Sequence, residues 1–144
     1  MAKGFLYLTA IIDVYSRYIV GWDIHNTLDA ENSLNVLRKA IAVHGKPEIV
    51  NSDQGSQFTC PGWVNYLKDQ EITISMDGKG RALDNVWIER FWHTLKQEYV
   101  YICPAENGNM LRKGLNKFID YYNNRRTHQS LDRKTPFDWY EYAA

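Results

Sequence analysis

The sequence predicts an α/β domain in which helices flank one mixed sheet, and three observations carry that expectation. Short runs rich in β-branched and aromatic residues alternate with longer stretches of 3.6-residue periodicity. Of the 144 residues, 44% are hydrophobic and 14% aromatic, more than a polar disordered chain carries. A chain of this length buries roughly 70% of its unfolded surface, enough for one layered core. No run reaches the roughly 20 apolar residues that a bilayer crossing needs. The 17 basic and 17 acidic residues cancel, so any contact with nucleic acid must rest on a local patch. Cys60 and Cys103 have neither metal-ligand spacing nor a disulfide framework, which fits free thiols in a reducing compartment. The first 17 residues lack a small-residue cleavage site and place Asp13 and Arg17 after the apolar run; the expected location is cytoplasmic.

Phe5 to Ile12 and Tyr18 to Ile24 read as strands of a hairpin closed by "DVYSR". Leu28 to His44 reads as a helix, with Asp29 placed to cap it, Leu34, Leu37 and Ala40 or Ile41 on its apolar face, and Gly45 and Pro47 to stop it. Glu48 to Ser52 is a short strand, Pro61 opens a helix to about Gln70, and Ile72 to Met76 is another strand. The Gly-rich basic loop "DGKGRALDN" follows. A helix from about Asn85 to Tyr101 sets Ile88, Phe91 or Trp92, Leu95 and Tyr99 on its apolar face, and one from about Asn107 to Arg126 does the same with Leu111, Leu115, Phe118 or Ile119 and Tyr122. The tail from Thr127 shows no long periodicity. Phe5 to Ile12 has core quality and should have a neighbour on its N-terminal side, so the chain reads as beginning one strand late.

The candidate chemistry centres on two acids. Asp53 follows a strand end, where open α/β sheets bind ligands, and Gly55 lets the chain turn there. Glu89 shares one side of its helix with Asn85, His93 and Lys96. Two such carboxylates offer hard oxygen donors to Mg²⁺ or Mn²⁺, as phosphoryl transfer requires, although such a site usually needs a third acid. Spacing alone leaves open that Asp53 is a turn residue and Glu89 a solvated one. The cluster "YNNRRTHQSLDRKTP", with Arg125 and Arg126, suits phosphate binding or an ordinary solvated helix end.

Four blocks in this order, "IIDVYSRYIVGW", "IVNSDQGSQFT", "DNVWIERFWHTLKQEYVY" and "YYNNRRTHQSLDRKTP", resemble the catalytic core of IS3-type insertion-sequence transposases, which stand with retroviral integrases among the RNase H-like DDE recombinases. The likeness spans nearly the whole chain, and 35 residues separate Asp53 from Glu89, as in the D,D(35)E signature. The resemblance implies that Asp53 and Glu89 are the second and third catalytic acids and bind Mg²⁺ or Mn²⁺. It also implies that Lys96 contacts element-end DNA, with Lys79, Arg81, Arg125 and Arg126 as further phosphate contacts.

The family's first acid lies in a W-x-x-D-x-T block that this sequence does not contain. Asp13 matches another family position, for which a structural or turn role is expected. The expectation is therefore one domain, residues 1–144, an RNase H-like core truncated at its N-terminus and lacking its first strand, with Met1 an internal methionine. It would be inactive in DNA integration as it stands, and it would self-associate through unpaired strand edges. A non-catalytic DNA-binding or assembly remnant is the alternative, and an RNase H-like nuclease that cuts without joining is a third.

Overall fold

The computed structural model describes residues 7–27, 29–52, 55–76, 86–100 and 108–143. Asp53, the loop of residues 77–85 with Lys79 and Arg81, and the expected boundaries at Phe5, Leu28, Asn85, Tyr101 and Asn107 lie outside them. The chain forms two compact units: Tyr7–Ile11 with Gly21–Val86, and Ile12–Val20 with the chain from Trp87 onward.

The first of these holds most of the strands. β1 (Tyr7–Ile12) pairs with β2 (Ile19–His25), and β3 (Ile49–Ser52) runs parallel to β4 (Thr73–Met76), with Ile49 opposite Thr73 and Ser52 opposite Met76. Among the described residues the strands are hydrogen-bonded in these two pairs, with helices around them, as expected of a mixed sheet flanked by helices. Between the pairs in sequence comes α1 (Ala30–His44), and between β3 and β4 come α2 (Ser56–Thr59) and α3 (Pro61–Asp69). α2 has no counterpart in the sequence reading, since four residues are too few to show helical periodicity.

The core here is built by Leu34 and Leu37 of α1, Trp63 and Leu67 of α3, and Ile72, with Ile11, Val50, Phe58 and Ile74 packed around them. Leu37 and Leu67 are fully buried, each contributing roughly 1.5–3 kcal/mol relative to exposure. Gly21 decides how near α1 can come to β2. A Cβ at this position would stand 3.2 Å from both the Ala40 Cβ and the Val36 Cγ1. Asp29 does precede α1 as expected, but its carboxylate accepts the Thr27 hydroxyl at 3.0 Å instead of capping a helix N–H. Gly45 ends α1 at φ 92°, a conformation glycine adopts without steric cost.

In the other unit α4 (Val86–Leu95) gives way to a π-helical turn, Lys96–Val100, and is followed by α5 (Gly108–Asn124), a 3₁₀ turn (Gln129–Leu131) and α6 (Pro136–Ala143). Phe91, Leu95, Leu115, Phe118, Ile119 and Tyr122 are buried, as the apolar stripes of α4 and α5 predict. The helix expected to continue to Tyr101 instead widens after Leu95. α6 was missed altogether, although Thr135-Pro-Phe-Asp138 carries its signal. The Asp138 N–H donates to the Thr135 hydroxyl at 3.2 Å and the Thr135 N–H to the Asp138 carboxylate at 3.0 Å, a reciprocal cap with Pro136 in the first turn.

Candidate active site

Glu89 lies in the first turns of α4, opposite the buried Phe91 and Leu95, and is exposed. Its helix neighbour Arg90 points to another face, and the Glu89 side chain makes no hydrogen bond or ion pair among the described residues. Its two oxygens are unspent hard donors, which is the chemistry a divalent cation takes. Asp53 directly follows Ser52, the buried last residue of β3, but is itself outside the described residues. No group of three His, Cys, Asp or Glu residues suited to a metal ion occurs among the described residues.

Asp13 has a turn role, as its place in the sequence indicated. Its carboxylate accepts the Ser16 N–H at 3.0 Å and the Ser16 hydroxyl at 2.6 Å, while its own N–H donates to the Tyr18 carbonyl at 2.8 Å. Arg17 closes this turn in the left-handed region, at φ 68°.

The predicted basic residues differ in what already holds them. Lys96 opens the π turn and is exposed without a partner among the described residues. Arg125 pairs with Asp120 at 2.9 Å on the open surface, and that pairing draws the Asp120 carboxyl below its usual range. Arg126 is half-buried and forks onto Glu98: Nε lies 3.2 and 3.1 Å from the two carboxylate oxygens and Nη2 lies 2.8 Å from the second. Burial works against its charge, but the Glu98 hydrogen bonds outweigh it and hold its pKa above the ordinary value. The pair ties the π turn that begins with Lys96 to the end of α5.

Beneath it lies a polar cluster that periodicity did not reveal. Tyr122 is buried, which pushes its phenol up to about 12 and keeps it neutral. The His128 ring meets Tyr122 edge-on at 5.1 Å, and its Nε2 is buried without a hydrogen bond. Burial, then the charges of Arg126 and Arg17, lower its pKa to about 4. Asn123, also buried, accepts the Ile19 N–H at 2.7 Å and donates to the Ile19 carbonyl at 3.1 Å, serving β2 as a strand neighbour would. Partners 104 residues apart leave no trace in sequence spacing.

Two models of the integrase core domain match this chain, over residues 1–82 and 70–136. It is 36% identical over 143 residues to the transposase for insertion sequence element IS904 of Lactococcus lactis, covering 97% of this chain and 56% of that protein. It is 30% identical over 129 residues to the transposase InsF for insertion sequence IS3A of Escherichia coli, covering 88% of this chain and 45% of that one. The chain therefore spans about half the length of these relatives. Among solved structures, the HTLV-2 integrase catalytic core domain in complex with magnesium, in its dimeric form, superposes with a TM-score of 0.74 at 19% identity, covering 96% of this chain and 87% of that one. That likeness establishes the RNase H-like fold.

Proposed function

We propose, on the premise that this chain belongs to the integrase core domain family and is an IS3-type DDE transposase core, that it supplies the metal-dependent site of DNA cleavage and strand transfer. The observation that carries the reading is the exposed carboxylate of Glu89, unpaired among the described residues, on a helix whose far side is buried. Glu89 and Asp53 would hold Mg²⁺ or Mn²⁺, which when bound would neutralise charge on the attacking and leaving oxygens of a phosphodiester. Lys96 would hold a DNA phosphate near Glu89, and Arg125, Lys79 and Arg81 would add contacts that fix register without reading sequence. Arg126, engaged by Glu98, would act chiefly by steadying the turn that presents Lys96. The reading includes a homo-oligomer acting on DNA in the cytoplasm.

A second reading is favoured by one observation: the sequence contains no W-x-x-D-x-T block, so Asp53 and Glu89 would lack the third acid that such a site uses. This chain by itself would then bind DNA and assemble without joining it. Mn²⁺-dependent nicking by this chain, beside a form extended upstream through such a block, separates the two. We expect activity only in the extended form. Nicking by the chain alone would mean that another acid, Asp13 first, completes the site.

A further inference from the structure

A cationic cluster joins the turn before β2 to α4. The Arg17 guanidinium carbon lies 3.5 Å from the centroid of the Trp87 ring and that of Arg90 lies 4.9 Å from the same centroid. The two cations are thus no farther apart than these distances together. Trp87 and Arg90, three residues apart, share one face of α4, while Glu89 lies between them in sequence on another face. Like charges converging on one ring repel, and Arg90, which is exposed, has no hydrogen bond or ion pair among the described residues to offset its charge. Arg17 is held by the Val14 carbonyl and, at 3.1 Å, the Tyr15 carbonyl, which fix its position without neutralising it. Burial lowers its pKa, and the charge of Arg90 acts in the same direction while Tyr122 and Asp13 oppose both. Arg17 also occupies a left-handed turn position where glycine would sit at lower steric cost, so its side chain has a use there that the turn alone does not require.

We infer that Arg17 and Arg90, stacked on Trp87, form a phosphate-binding subsite that takes a DNA backbone phosphate at the helix that carries Glu89. This rests on the reading of the chain as a DNA-joining core and adds a contact to it. The indole orients the two planar cations, and a phosphate with oxygens directed at both would supply the counter-charge that Arg90 lacks among the described residues.

The test is the salt dependence of affinity for a duplex oligonucleotide, measured for the whole chain and its variants. Each phosphate contact contributes about 0.9 to the slope of log affinity against log salt. Arg90→Gln is expected to lower the slope by about 1 with no change in melting temperature, and Arg90→Lys to restore it. Lys117→Gln, at an exposed lysine on α5, is expected to leave the slope unchanged. An unaltered slope in Arg90→Gln, or an equal loss in Lys117→Gln, overturns the subsite while leaving the DNA-joining reading intact. Absence of any duplex binding by the unmodified chain overturns both.

Discussion

At the residue scale, burial has turned several polar side chains from solvated groups into structural ones. Asn123 and Arg126 sit in a motif whose amides and arginines suit phosphate binding but on sequence alone fit a solvated helix end better. The structure gives Asn123 to the Ile19 backbone and Arg126 to Glu98. Neither assignment was legible, because each depends on a partner remote in sequence. His128 offers the clearest prediction here. Its pKa falls from the ordinary 6.5 to about 4 on folding, so between those values the unfolded chain binds a proton that the folded chain refuses. Stability from this residue is fully present above about pH 6.5 and is lost as pH falls through that window. Urea denaturation at steps from pH 7 to 4 should show the decline, and His128→Asn should flatten it. An equal slope in the variant would mean that other groups set the pH dependence.

Elements were legible where their signals were local. The periodicities of α1, α3 and α5, the proline opening α3 and the β-branched runs of β2 and β3 all lie within one segment. The π turn was not, since its widening accompanies the Glu98–Arg126 pair between segments far apart in sequence. The reciprocal cap of α6 was legible in Thr135 to Asp138 and was passed over because the eight-residue helix is too short to build a convincing period. The pairing of β2 with α1 makes an element-scale prediction. Gly21→Val would force bulk between β2 and the Val36–Ala40 face, where even one methyl carbon meets two others at 3.2 Å. The expected cost is about 1–3 kcal/mol, read as a lower midpoint in urea denaturation. An unchanged midpoint would show that α1 can move away freely.

Over the whole molecule, the family and its fold were legible because four blocks recur in order along nearly the full chain, which no single element could establish. The candidate site was legible only in part. Asp53 and Glu89 were marked by a 35-residue interval, and Glu89 proves to be an exposed carboxylate with no competing partner among the described residues. Arg17, Trp87 and Arg90 were not marked, since the ring joins a hairpin turn to a helix 70 residues away. The measurement that bears most directly on the account is Mn²⁺-dependent strand transfer by the form extended through a W-x-x-D-x-T block, with Glu89→Gln beside it. The account predicts joining by the unmodified protein and a loss on the order of 10⁴-fold in the variant, with its fold intact, because carboxylates sharing metal act as a unit. Strand transfer that survives Glu89→Gln would contradict it.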